Sequence, residues 1–352
     1  MGARHMSSIP ATMKAAVIRE TGPADVMKVE TDYPVPQIVD GQVCCCVCCC
    51  AMVACFTLSP QPTHSRAVPF PRAHVLCIHS THAMLTRASA SFANDGGWRR
   101  FSRPRLQVLV KNEFAGINFI DTYHRSGLYA RDLPFVGGQE GGGVIAATTP
   151  KAEAMGMQVG DRVAYSILQS YSEYSAVPAA KILPVPDGVP LDVATAAVVQ
   201  GLTAHYLVTS AHAGLIQPGE WMLIHGAGGG TCQWACYMAK EMGYKVIATV
   251  AKGKADIARA TGADEVIVLD ETPGTEYEDY ESVDVTARVM EITGGAGAKC
   301  VIDGIGLATT DISIDSLAQR GIFVSFGNAS GAVPPVAPLR FIGKSAFLTR
   351  PV

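Results

Sequence analysis

Charge is what this chain has least of. Acidic and basic side chains make up 17 % of its 352 residues and nearly cancel, 28 Lys and Arg against 31 Asp and Glu, for a formal net charge of -3. With no basic excess, electrostatics give no reason for nucleic acid or an anionic membrane to be the main partner, and a small molecule fits better. A membrane-length apolar span is also lacking. The apolar run over residues 43–58 ends before Pro60 and falls short of the roughly 20 residues that cross a bilayer. The opening stretch "MGARHMSSIPATMK" has no apolar core of secretory length, and Met6 stands where a myristoylation signal requires Ser or Thr. A cytoplasmic protein without membrane association is expected. In that compartment thiols stay reduced, so the eleven cysteines do not read as a disulfide framework.

What is present can bury a sizeable core. Hydrophobic residues reach 48 %, and 35 glycines imply many close backbone approaches. The length exceeds one ordinary core and predicts two domains. One stretch stands apart: residues 44–106 carry seven Arg, one Asp, no Lys and no Glu, a net +6 against -9 for the remainder. Eight of the eleven cysteines lie there, six of them within "CCCVCCC". The stretch has no sustained period of 2 or 3.6, which argues against packed secondary structure. Its flanks read "GQV" and "QVLVK", and closing the gap with one "QV" kept leaves "DGQVLVKNEFAGINFID", an alternating strand after an Asp-Gly turn. The segment therefore interrupts a strand or its mouth. Three readings stay open: an insertion without function, a metal or redox module using C-x-x-C with His64, His74, His79 and His82, or a membrane-associating segment.

Around that segment the first half is mainly β, with strands predicted at "MKAAVIRE", "VMKVETDYPVP", "GGGVIAAT" and "GDRVAYSI". From about Leu191 strands and helices alternate: "WMLIHG", "CQWACYMAKEMG", "YKVIATV", "KADIARATG", "DEVIVL", "VTARVMEITGG", "KCVIDGIG", "TTDISIDSLAQRG" and "IFVSFGN". Short connections between such elements predict right-handed crossovers and a parallel, doubly wound sheet, hence an α/β fold.

The first strand of that sheet runs into "HGAGGGTCQWA". A glycine-rich turn at a helix N-terminus brings backbone N–H groups and the positive helix end to a pyrophosphate, and Gly226, Gly228, Gly229 and Gly230 provide the room. Thr231 stands where the strict G-x-G-x-x-G has its last glycine, so an ordinary tight turn remains an alternative. About 20 residues on, NAD-selective folds place a carboxylate on the ribose hydroxyls. This chain has Thr249, Val250 and Ala251 there, then Lys252 and Lys254. With no carboxylate on guard and two ammonium groups near, a 2′-phosphate is favoured, so NADPH is expected over NADH; a solvated helix start is the bland alternative.

The phrases "AGINFIDTYHRSGLY", "LPFVGGQEGGGVI", "GDRVAYS", "QGLTAHYL", "VIDGIG" and "VSFGNASG" stand in the order found in one family. In them the chain resembles the zeta-crystallin-like quinone oxidoreductases of the medium-chain dehydrogenase/reductase superfamily, from about Met13 to Gln42 and from Gln107 to Pro351. The resemblance implies a GroES-like catalytic domain over residues 13–189, interrupted by 44–106, and a Rossmann domain over 190–330 that binds NADPH. It implies a return toward the catalytic domain over 331–352, a homodimer where the C-terminal part is complete, and a cleft where a quinone meets the nicotinamide. On the cofactor it places Thr203, Gly228, Gly229, Gly230, Thr231, Lys254, Gly304, Gly306, Phe326 and Gly327. Beside the nicotinamide it places Asn118 and Tyr123, whose amide N–H and phenol O–H would reach an acceptor oxygen; the plainer roles are a turn cap for Asn118 and core filling for Tyr123.

Zinc-dependent members of the superfamily hold a catalytic metal with Cys, His and Cys. The matching positions here are Asn118, Gln139 and Gln200, and neutral amides do not make such a site, so no metal is expected. Without a metal the acceptor must be easy to reduce, which suits a quinone held by positioning and hydrogen bonds. An enal or enone double-bond reductase, or an NADPH-binding or structural protein without turnover, are the alternatives. Three departures from the family pattern are Cys232 in place of a glycine, Leu269 where relatives stack a tyrosine near the adenine, and the stop at "FLTRPV". Relatives run on for some tens of residues, so an exposed catalytic core and reduced stability are expected.

Overall fold

The structure is a computed structural model that describes residues 4–5, 9–40, 106–271, 273–274 and 277–351. The cysteine-rich expectations for 44–106 fall outside the described residues, Leu106 excepted. Strands of the first half are β1 (Arg4–His5), β2 (Thr12–Ile18), β3 (Met27–Pro34), β4 (Gln107–Gly116), β5 (Phe135–Val136), β6 (Glu140–Thr148), β7 (Arg162–Ser166), β8 (Tyr174–Pro178) and β9 (Ile182–Pro184), with helices α1 (Phe119–Ser126) and α2 (Pro150–Ala154). One sheet runs β8-β4-β6-β7-β9 with β1 on the flank of β6, and a smaller one runs β3-β2-β5. The strand expected at "QVLVKNEFAG" is β4, whose first residues Val108, Leu109 and Val110 are all buried.

Helix α3 (Leu191–Thr209) links the halves. It is long and apolar enough to cross a membrane by length and composition alone, yet here it packs on β4, β6 and β7 and on helix α4 (Gly230–Glu241). It seats tightly: a Cβ on Gly142 of β6 would lie 1.9 Å from Thr195 Oγ1.

The second half contains β10 (Trp221–Ile224), β11 (Lys245–Ala251), α5 (Ala255–Ala260), β12 (Glu265–Glu271), β13 (Glu278–Asp279), α6 (Val285–Ile292), β14 (Ala298–Asp303), α7 (Thr310–Asp315), β15 (Leu317–Ser325) and β16 (Phe347–Thr349). The sheet order is β13-β12-β11-β10-β14-β15-β16, parallel apart from β13. Chain order reverses between β10 and β14, the position where open α/β sheets bind ligands at their carboxyl edge. Each face has its own apolar core, Met222, Ile224, Val246 and Ala235 on one side and Leu223, Ile247, Val301 and Phe323 on the other. Alternation along buried parallel strands produces this two-sided burial.

Two local features differ from expectation. The helix expected over 309–321 begins at Thr310 and ends at Asp315, because Leu317, 1 % exposed, must enter the core as β15, whose register shift includes Arg320 at φ 53. β12 continues into an antiparallel pair with β13, Glu271 opposite Glu278. Residues 347–349 add to the edge of the doubly wound sheet beside β15, before Arg350 reaches back to Tyr129 of the first half at 2.8 Å. Two of the family departures are core residues: Cys232 and Leu269 are 6 % and 1 % exposed. Burial drives the Cys232 thiol far up and the neighbouring Cys236 thiol up to about 12, so neither is primed for thiolate chemistry.

Candidate active site

The glycine turn follows β10 directly. Gly226 takes φ 63, Gly229 N donates to Gly226 O at 2.9 Å, and Gly230 opens the twelve-residue helix α4 with Thr231 next, half-buried. At two of its positions a side chain would strike a neighbouring one. A Cβ on Gly228 would lie 2.5 Å from Lys254 Cδ, and one on Gly230 would lie 2.1 Å from Gln200 Oε1. The helix-end amides are thereby left open to an anion, which fits a pyrophosphate. The turn is held from below by Thr249 of β11. Its carbonyl accepts from Ala227 N at 2.9 Å and its hydroxyl from Gly226 N at 3.2 Å, while His225 Nδ1 and Tyr280 Oη lie 3.2 and 3.0 Å from that hydroxyl. His225 is fully buried, with Nε2 unpartnered; burial pushes its pKa down, opposed by Asp303.

Asp303 shapes the adjoining loop. Its carboxylate accepts from Ile305 N, Gly306 N, Thr309 Oγ1 and Ser313 Oγ at 2.7 to 3.1 Å. Gly306 adopts φ 95, and Gly304 faces Gly327 so closely that a Cβ on Gly327 would sit 2.3 Å from Gly304 O. The Phe326 ring covers Gly304. These ends of β14 and β15 lie beside the turn at the switch point.

One expectation is corrected. Carboxylates do come near the turn and the lysine stretch: Glu278 Oε2 lies 3.9 Å from where a Gly226 Cβ would be, and Glu271 Oε1 3.7 Å from that of Gly253, between Lys252 and Lys254. Residue spacing could not reveal them, because they arrive from β12 and β13 by sheet pairing, Ala251 opposite Leu269 and Glu271 opposite Glu278.

The mainly β first half contributes a buried amide and carboxylate group. Asn118 is the N-cap of α1, and Asp121 Oδ2 accepts from its backbone N at 3.0 Å. Its side chain does something else: Nδ2 donates to Glu140 Oε2 at 2.8 Å, and Oδ1 lies 3.4 Å from Gln200 Nε2. Glu140, fully buried, also accepts from Val199 N at 2.5 Å. Burial pushes the Glu140 carboxyl up, opposed by these donors. Burial likewise raises Asp121, against the hydroxyl of Tyr171, which donates to it at 2.7 Å. Gln139 Oε1 and Asp121 Oδ1 are buried without partners. Glu140 was missed from sequence, and its signal was a carboxylate inside an otherwise apolar and glycine strand, "GQEGGGVI".

Tyr123 is 8 % exposed, its pKa raised by burial, and its oxygen accepts from Asn328 N at 2.7 Å, leaving its own hydrogen to donate. The Asn328 amide oxygen accepts from Tyr129 Oη and Arg350 Nη2 at 3.2 and 3.0 Å, so α1 is tied to the loop after β15. Contacts run from Asn118 through Gln200 and Gly230 to the turn and Lys254, and from Tyr123 through Asn328 to Gly327 and Gly304. Thr203 is half-buried one helical turn after Gln200 on α3.

Comparison with known proteins decides the family. Residues 104–218 match the model described as alcohol dehydrogenase GroES-like domain, and residues 230–348 that described as zinc-binding dehydrogenase. A Pseudomonas aeruginosa protein named quinone oxidoreductase is 40 % identical over 251 residues, 70 % of this chain and 72 % of that protein. The chain belongs to the quinone oxidoreductase family. A Burkholderia protein named 2-haloacrylate reductase is 35 % identical over 256 residues, 70 % of this chain and 72 % of that one. Among solved structures, a mycobacterial protein in complex with NADPH superposes with TM-score 0.71 at 33 % identity, covering 97 % of this chain and 82 % of that one. Escherichia coli quinone oxidoreductase with NADPH gives TM-score 0.64 at 37 % identity, over 70 % and 73 %. The doubly wound sheet joined to a GroES-like β half is thus the fold of this quinone oxidoreductase family member.

Proposed function

We propose that the protein is an NADPH-dependent quinone reductase that works without catalytic zinc. The observation carrying this reading is the continuous line from Asn118 through Gln200 to the glycine turn: amides stand at the reacting end, and a pyrophosphate cradle lies directly beyond them. Gly228, Gly229, Gly230 and Thr231 would hold the pyrophosphate, with Lys254 toward the 2′-phosphate. Thr203, Gly304, Gly306, Phe326 and Gly327 would line the nicotinamide half. Bound NADPH would supply the reducing equivalents, as hydride or as single electrons. Asn118, with one amide hydrogen left after Glu140, and Tyr123, with its O–H, would hydrogen-bond the acceptor oxygen where negative charge develops. Exposed Ile117 and Phe119 beside Asn118 offer apolar surface to a flat ring. The same reading takes residues 13–189 and 190–330 as catalytic and nucleotide domains, and a cytoplasmic homodimer as the working form.

A second reading, reduction of an enal or enone double bond, is favoured by the likeness to the 2-haloacrylate reductase and by the donor left on Tyr123. Turnover of NADPH against matched quinones and enones separates the two. Quinone turnover unchanged by chelators is expected. Tight NADPH binding with no acceptor turned over would instead mark a nucleotide-binding protein.

A further inference from the structure

We propose that Glu140 is a positioning residue whose buried negative charge biases the site toward the oxidised form of the cofactor. The inference rests on the NADPH reading above. Glu140 has no exposed surface and, among the described residues, no ion pair with a Lys, Arg or His. Its partners are neutral N–H donors, Asn118 Nδ2 and Val199 N, one on each oxygen. Donors on both oxygens suit a carboxylate and leave no acceptor for a proton on the group. An anion buried without a cation is costly.

That cost has a use at this location. Glu140 reaches the site through Asn118, and Gln200 continues from Asn118 to the N-terminus of α4, so the charge lies at the Asn118 end of that line, two side chains from the helix end. The reduced nicotinamide ring is neutral and the oxidised ring is a cation. A fixed anion with no counter-charge attracts the cation and leaves the neutral ring largely unaffected. The other acid facing this region, Asp121 of α1, is hydrogen-bonded by Tyr171 and acts in the same direction.

Binding of NADP+ and of NADPH to the full chain, measured separately by fluorescence titration, tests this. Glu140→Gln should weaken NADP+ about tenfold and NADPH less than about threefold, as expected for unit charges about 12 Å apart at an effective dielectric near 20. Glu140→Asp keeps the charge and should keep the wild-type ratio of the two affinities; Glu140→Asn has the same shorter shape without charge and should lose it. This second pair decides the matter if the Gln variant does not fold. Equal weakening of both nucleotides, or an unchanged ratio in both pairs, would reduce Glu140 to a structural role and overturn the proposal. A shifted ratio without quinone turnover supports it and rejects only the acceptor. A folded wild-type chain that binds neither nucleotide overturns this proposal and the NADPH reading together.

Discussion

Lys254 follows Gly253, and Glu271 Oε1 lies 3.7 Å from where a Gly253 Cβ would be, so in the proposed NADPH site cofactor choice would turn on the balance of these two charges. Lys254→Ala should weaken NADPH about tenfold and NADH about twofold, since an exposed charge pair contributes on the order of 1 kcal/mol. Glu271→Gln should move the preference the other way, toward NADPH. Equal changes for both nucleotides in titration would remove these residues from the 2′-phosphate. His225 makes a different prediction. Burial holds its folded pKa below the unfolded value near 6.5, so the neutral form contributes stability above that pH. This stability is lost as pH falls from about 6.5 to the folded value, at up to about 1.4 kcal/mol per pH unit. The raised pKa values of Glu140 and Asp121 have the opposite sign, favouring the fold as pH falls. Thermal melts of wild type and His225→Asn from pH 7.5 to 5 should therefore diverge, with the wild type losing more on acidification. Parallel curves would mean that His225 does not titrate in this range.

Among the turns and strand ends, the glycines separate into two kinds by what a Cβ would strike. At Gly327 the obstacle is backbone, Gly304 O at 2.3 Å, which cannot move without parting β14 from β15. At Gly230 it is the end of the Gln200 side chain, which can rotate. Gly327→Ala should then lower stability by roughly 1–3 kcal/mol, seen as a drop in melting temperature. Gly230→Ala should melt near wild type and yet lose most nucleotide binding, because the displaced amide and the new methyl crowd the helix end. Reversal of the two melting results would mean that the sheet ends are looser than their contacts suggest. Pattern alone reveals the glycine-rich turn and its helix; it does not reveal which glycine is limited by backbone and which by a side chain.

At the level of the whole chain, the hydrogen bond from Gln107 N to Val39 O, 3.2 Å long, spans the cysteine-rich segment. Removing residues 42–106 leaves Val39-Asp40-Gly41-Gln107, where the same bond becomes the closing bond of a four-residue β-turn with Asp-Gly at its centre. The deletion gives up buried Leu106, whose carbonyl accepts from Ala179 N at 2.8 Å, and should still bind nucleotide as before and give more soluble protein. Loop entropy contributes little to this, about 0.6 kcal/mol per doubling of length, so any gain comes from removing apolar and thiol-rich sequence. Loss of turnover that metal restores only in the parent would assign the cysteines a part in the enzyme.

The linear sequence by itself determined the α/β alternation, the strand resumed at Gln107, the glycine turn and the Asn118, Gln139 and Gln200 amides, because periodicity, turn chemistry and residue type are local properties. Tertiary structure alone decided the end of the 310–315 helix, where burial of Leu317 overrides local helical preference. It alone decided the approach of Glu278 to the turn and of Glu271 to Gly253, since strand pairing joins residues that no spacing rule connects. It also placed Glu140 against Asn118 and α3, because whether a carboxylate in a glycine-rich strand faces water or a buried amide depends on which helix covers that strand.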